Sequence, residues 1–181
     1  MNYPSAYRER LLTAFTWNEI QALPNKAQIP IVIGTGAIEQ HGRHLPVAVD
    51  ALLAETRIER AFALISSENR ILVGPSITYG KSNEHTGFPG TIYISKETLR
   101  RQLLTIARQL YDWGFRVMAV VNTHGGNIAV LNYTLREIQN ELGMSVGYLK
   151  SDFPMGLSKQ EETYGFHAGE AETAWILDIW P

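Results

Sequence analysis

Apolar positions change their period along the chain, and each change predicts an element. "TWNEIQAL" opens with Thr16 and carries Glu19 three residues on, a capping-box start for a short helix. "IPIVIGTG" (29 to 36) is an almost continuous apolar run ended by glycine, which predicts a strand covered on both faces. "DALLAETRIERAFALI" (50 to 65) has helical spacing, with Asp50 placed as an N-cap. "RILVGPSI" (70 to 77) predicts a second strand and "GTIYIS" (90 to 95) a third, shorter one. Ser95 then opens an amphipathic helix, "KETLRRQLLTIARQLYDWG", closed at Gly114. "RVMAVVNTHGGN" (116 to 127) is a strand running into a glycine turn. "IAVLNYTLREIQNELG" is a helix stopped by Gly143, "MSVGYLK" a further strand, and a last helix is expected from near Gly169 towards Ile179.

Strands alternating with helices predict an α/β fold with a mostly parallel sheet, in a single domain spanning 1–181. In open sheets of this kind ligands bind beyond the carboxyl ends of the strands. The loops expected there are "GAIEQHGRH", "SNEHTG" and "NTHGGN". They carry four of the five histidines, His41, His44, His85 and His124; the fifth, His167, precedes the last helix. The acids Glu39, Asp50, Glu84, Glu170 and Glu172 accompany them. Imidazole with carboxylate and no sulfur is a donor set for zinc, manganese or iron(II).

Each part alone has an ordinary explanation. An E-x-H pair such as Glu39 and His41 falls on one side of any extended segment. Asp50 before an apolar run is most simply a cap, and Asn127 after "THGG" another. Acids in "HAGEAET" suit the first turn of a helix. His44 and His85 can be solvated loop residues. What these explanations leave unaddressed is the placement of all five histidines on one predicted edge.

Composition narrows the field. Apolar residues make up 45% and charged residues 19% of 181, and the formal net charge is -2, which gives no reason to invoke nucleic acid or an anionic membrane. No apolar run approaches the ~20 residues of a membrane span. "MNYPSAYRERLLTAF" lacks a signal-peptide layout, so a cytoplasmic protein is expected. The absence of cysteine excludes disulfides, thiolate metal sites and thiol nucleophiles. G-x-G-x-x-G, a full G-x-x-x-x-G-K-[ST] phosphate loop and H-E-x-x-H are missing, and the one G-x-S-x-G string, Gly143 to Gly147, leads from a helix stop into a predicted strand and is no strand-to-helix nucleophile elbow.

Four ordered motifs, "GAIEQHGRHLPVAVDALLAE", "NEHTGFPGT", "NTHGGN" and "HAGEAET", resemble the creatininase (creatinine amidohydrolase) family over about residues 29 to 176. The resemblance implies a three-layer α/β/α fold, two divalent metal ions (zinc first, manganese or iron as alternatives) and a homo-oligomer, commonly a hexamer. It implies hydrolysis of a non-peptide C–N bond, in a cyclic amide or a formamide, by a metal-bridging hydroxide. By motif, Glu39, His41, Asp50, His124 and Glu172 match the metal ligands, Asp50 as the bridge, and His167 matches the proton-transfer residue. His44, Glu84, His85, Gly125, Gly126, Tyr164 and Glu170 are expected in the pocket or behind the ligands. Members acting on creatinine carry a tryptophan before that last histidine, where this chain has "EETYGF", and a glutamate at the place of Gly126. "THGGN" is closer to branches that deformylate a formamidopyrimidine or trim a peptide cofactor precursor. The polar stretch 151 to 166 is expected to form a flap, and the stop at Pro181 suggests a chain shorter than its relatives. The alternative within the same fold is a metal- or ligand-binding protein without catalysis.

Overall fold

A computed structural model describes residues 5–149 and 156–181. Its elements run α1 (Ser5–Arg8), α2 (Trp17–Ala22), β1 (Pro30–Thr35), α3 (Val49–Leu64), β2 (Leu72–Val73), α4 (Lys96–Asp112), β3 (Val117–Asn122), α5 (Ile128–Leu142), β4 (Ser145–Tyr148), α6 (Lys159–Tyr164) and α7 (Glu170–Ile179). The strands pair in parallel in the order β2-β1-β3-β4. β1 and β3 pair along their full length, from Pro30 opposite Val117 to Thr35 opposite Asn122.

Side chains alternate between the faces of β1 and so build two cores. Ile31 and Ile33 join Met118 and Val120 of β3 against Leu103, Leu110, Leu131 and Ile138 of α4 and α5. Val32 points the other way, with Val73, onto Ile58 and Phe62 of α3. Val49 and Leu53 of α3 also pack on Ile176 of α7. The result is the three-layer α/β/α arrangement expected, with α4 and α5 on one face of the sheet and α3 on the other. Beside α3 a groove of about 910 Å³ lies over the sheet, lined by Val121, Tyr148, Leu149 and Trp175 among others.

Local signals fix several boundaries. The Thr16–Glu19 capping box forms in both directions at α2. Ser95 caps α4 by accepting from Thr98 N at 3.0 Å. Gly143, at φ 65°, closes α5.

Two expected strands are corrected. The stretch 90 to 95 is not a strand: its one ladder contact is an antiparallel bridge, Ile38 to Ile92. Gly90 sits at φ 91° and the Ser95 cap begins α4 at once, which leaves too few residues for a ladder. Instead this stretch braces the first histidine loop, with Ile92 N donating to Ile38 O and Gln40 N to Thr91 Oγ1, both at 3.0 Å. The strand predicted over 70 to 77 shrinks to Leu72–Val73. Pro75 has no N–H and interrupts the ladder, which resumes when Ile77 N donates to Gly34 O. Part of the expected flap, 151 to 155, lies outside the described residues, and 159 to 164 of it is the helix α6.

β1 lies between β2, which follows it, and β3. The chain therefore leaves the carboxyl ends of β1 and β3 towards opposite sides, the switch point at which open sheets bind ligands. At that point the Thr35 hydroxyl donates to Asn122 Oδ1 at 2.9 Å.

Candidate metal centre

The loop after β1 carries Glu39 and His41 inward together. Glu39 is 1% and His41 1% exposed. Asp50 is not the N-cap of α3: Ala48 takes that position, and Asp50 stands in the first turn, 2% exposed, with its side chain in the cluster. Gly36 makes this possible, because a Cβ there would come within 2.8 Å of the Ala51 backbone N and Cα. From the end of β3 comes His124, and from the start of α7 comes Glu172. Asn127 does not cap α5 with its side chain either. Its amide donates to Gly36 O at 3.0 Å and its carbonyl accepts from Lys81 N at 2.9 Å, tying three loops together.

The distances describe one connected site. His41 Nε2 lies 3.5 Å from Asp50 Oδ1 and 3.8 Å from Glu172 Oε2. His124 Nδ1 lies 3.2 Å from Asp50 Oδ2 and 3.4 Å from Glu39 Oε1. His85 Nε2 and His167 Nδ1 approach the same Glu39 oxygen at 3.4 and 3.5 Å. The rings of His41 and His85 flank that of His167 with centroids 4.2 and 4.5 Å away.

Backbone carbonyls set the tautomers. His41 Nδ1 donates to Glu39 O at 3.1 Å, so Nε2 is the inward atom. His124 Nε2 donates to Lys81 O at 3.0 Å, so Nδ1 is inward. His167 Nε2 donates to Gln40 O at 2.7 Å, which leaves Nδ1 to the centre. Such hydrogen bonds behind an imidazole are what orient a metal-ligating histidine.

The residues present fit a metal. Among the described residues, the buried side-chain atoms with no hydrogen-bond partner are Glu39 Oε2, His41 Nε2 and Asp50 Oδ2. Leaving such atoms unmatched costs roughly 1–3 kcal/mol each, and more for charged groups. Cations bound at this centre would give these atoms the partners they lack. Protons take its place without one. Burial opposes a charge on His124, yet the Asp50 and Glu39 carboxylates outweigh it and lift its pKa from 6.5 to about 10. Burial likewise opposes charge on His41, and Asp50, the Glu39 carbonyl and Glu172 reverse the balance upward. Burial raises the pKa of Asp50, but His124 and His41 draw it below the usual carboxylate range.

A pH dependence follows from these directions. A raised histidine pKa stabilises the fold below about pH 6.5, and that stabilisation is lost as pH climbs towards about 10. Chelator-treated protein is therefore expected to lose melting temperature steadily between pH 6.5 and 10. Adding Mn²⁺ at pH 9 should restore it, because the ion replaces the protons. A melting temperature flat over that window, with or without ion, would contradict this account.

Other sequence candidates divide. Glu84 comes to the centre, with Oε1 3.5 Å from His124 Nε2. Gly126 lies against both, and Gly125 faces open space. Three candidates do not converge. His44 is exposed and pairs with Thr173 Oγ1 at 3.0 Å; Glu170 turns to Ser158 N; Tyr164 is 75% exposed on α6. Residues without a sequence signal enter instead. The Gln40 side chain, its carbonyl accepting from Gly42 N, points its amide at His85 Nδ1, 2.8 Å away. Arg57, stacked over Trp175 at 3.9 Å, has its pKa lowered by burial against the pull of Glu172 and Asp50. No spacing rule marks a glutamine or an arginine for such roles.

The creatininase family profile, described as creatinine amidohydrolase, matches residues 13–181. The mycofactocin precursor peptide peptidase of Mycobacterium ulcerans (strain Agy99) is 37% identical over 157 residues, 83% of this chain and 58% of that protein. The creatinine amidohydrolase of Pseudomonas putida is 30% identical over 188 residues, 92% of this chain and 70% of that protein. The chain thus spans less than two thirds of the length of the peptidase. Among solved structures, a creatininase point mutant superposes with a TM-score of 0.79 at 26% identity, covering 94% of this chain and 73% of that one. A structure described as creatininase Mn gives 0.73 at 26% identity, covering 95% and 73%. Fold, profile and relatives agree with the donor cluster at the sheet switch point: the chain belongs to the creatininase family.

Proposed function

We propose that this chain is a two-metal hydrolase that cleaves the C–N bond of an amide. The observation that carries the reading is the trio of buried, unmatched donor atoms on Glu39, His41 and Asp50, within reach of His124 and Glu172. These five would hold the two ions, with Asp50 between them, since its two oxygens face different histidines. When bound, the divalent ions polarise the substrate carbonyl and lower the pKa of water.

The chain's own residues do the rest. His41 and His124 are held by backbone carbonyls in the tautomers that turn a bare nitrogen inward. Gln40 O keeps the proton on His167 Nε2, so Nδ1 is the atom that exchanges protons with the centre. Nδ1 takes the proton lost by the attacking water and passes it to the departing nitrogen, which leaves poorly as an anion.

The substrate class rests on two supports. Resemblance favours a non-peptide amide, cyclic or formyl. The 37% identity to a precursor peptide peptidase favours a peptide as the second reading. A turnover screen separates them: Mn²⁺- or Zn²⁺-loaded protein is offered creatinine, formamidopyrimidines, small lactams and short peptides. Hydrolysis in one class, lost on chelation and restored by metal, is the expected result. Silence across all four would favour a binding protein without catalysis.

A further inference from the structure

Glu84 lies outside the five ligands proposed above, yet its carboxylate is built into the centre. It stands on the single 3-10 turn Asn83–His85, in the loop that returns from β2 towards the ends of β1 and β3. Its two oxygens have different tasks. Oε2 accepts from Lys81 Nζ at 2.8 Å. Oε1 lies 3.5 Å from His124 Nε2, the nitrogen that donates to Lys81 O.

Donor atoms of Glu39, Glu84 and His124 lie within 4.8 Å of one another, and so do those of His41, Asp50 and Glu172. These two triads share no residue. Asp50 links them, with Oδ1 beside His41 and Oδ2 beside His124. The remaining grouping, Glu39 with His41 and His167, takes one member from each triad and so cannot coexist with two complete ones. The partition that serves two ions is therefore the one that includes Glu84 and leaves His167 free. An independent sign that the Glu84 triad needs a cation is Glu39 Oε2, which has no hydrogen-bond partner on a side chain 1% exposed.

Gly126 provides the room. A Cβ at this position would collide with Glu84 Oε1, His124 Nε2 and the Lys81 carbonyl. The requirement is for space, since the backbone at Gly126 is not left-handed. Any side chain there would push Glu84 out of the centre.

The structure assigns Glu84 as a sixth metal ligand, completing the ion held by Glu39 and His124, with Gly126 kept bare to admit its carboxylate. This rests on the two-metal reading. Its chemical consequence is a centre in which Glu39, Asp50, Glu84 and Glu172 balance the charge of two divalent ions. With Asp50 shared, three carboxylates and one imidazole would surround that ion, a hard donor set of the kind manganese accepts.

The test is titration of the metal-free full chain with Mn²⁺, followed by calorimetry and electron paramagnetic resonance. The unaltered chain should bind two ions and give a coupled two-manganese spectrum. Glu84→Gln, nearly isosteric and on an accessible turn, should keep one ion at unchanged affinity. It should bind the second roughly 10–100-fold more weakly and show an uncoupled spectrum. Gly126→Ala should do the same with Glu84 still present. Lys81→Ala removes the ion pair but not the carboxylate, and should retain both ions. Two ions at unaltered affinity in Glu84→Gln would overturn the assignment alone. So would loss of the second ion in Lys81→Ala, which would trace the effect to the loop. Fewer than two ions in the unaltered chain would overturn the two-metal reading itself.

Discussion

Asp50→Ala is expected to remove both bound ions and to lower hydrolytic activity by about 10³-fold or more. The metal ions supply several kcal/mol of transition-state stabilisation, and each 1.36 kcal/mol is a factor of ten in rate. Asp50 is the residue whose two oxygens face both halves of the site, towards His41 at 3.5 Å and His124 at 3.2 Å. The fold should survive. The contact that ties the start of α3 to β3 uses the Asp50 backbone carbonyl, which accepts from Thr123 Oγ1 at 2.7 Å, and no substitution removes it. Loss of the carboxylate also takes away a buried charge, so His41 and His124 need no longer be protonated. Elemental analysis after dialysis and a circular dichroism melt check both halves of the prediction. A folded Asp50→Ala protein that keeps two equivalents of metal would show that Asp50 is not the bridge.

His167→Ala is expected to behave in the opposite way: both ions stay, and turnover falls about 10²–10⁴-fold. In the proposed mechanism His167 exchanges a proton and does not hold metal. Its Nε2 is tied to Gln40 O at 2.7 Å, and its ring lies between the tilted ring of His41 and the stacked ring of His85, with Nδ1 towards Glu39 Oε1 at 3.5 Å. Metal content and kcat measured on the same preparation decide the matter. Loss of an ion with His167→Ala would move this residue into the ligand set and favour the grouping of Glu39, His41 and His167.

The two variants probe positions of very different legibility. Glu39, His41 and His124 could be read from loops that follow predicted strands, because the rule for open sheets depends only on strand direction and on where the strands end. Asp50 was legible as a ligand only through the family motif: by spacing alone a carboxylate before an apolar helix looks like a cap, and it is the packing of Gly36 against Ala51 that lets it turn inward. His44 shows the converse. It shares the loop with Glu39 and His41, yet the turn at Gly42 (φ 68°) sends it out to Thr173.

By itself the sequence determined what short-range physics can determine. Apolar period separated strands from helices, Thr16 and Ser95 marked helix starts, and Gly143 marked a stop, since each of these depends on a few neighbouring residues. The four motifs also determined the family. Tertiary structure alone decided that 90 to 95 braces the histidine loop instead of joining the sheet, because one bridge does not make a ladder. It alone placed Gln40 between two imidazoles and turned Glu84 into the space left by Gly126. The Gln40 contacts join residues 45 and 127 positions apart, and no local pattern encodes them. They exist because β1 pairs with β2 on one side and β3 on the other, which brings three separate loops to one switch point.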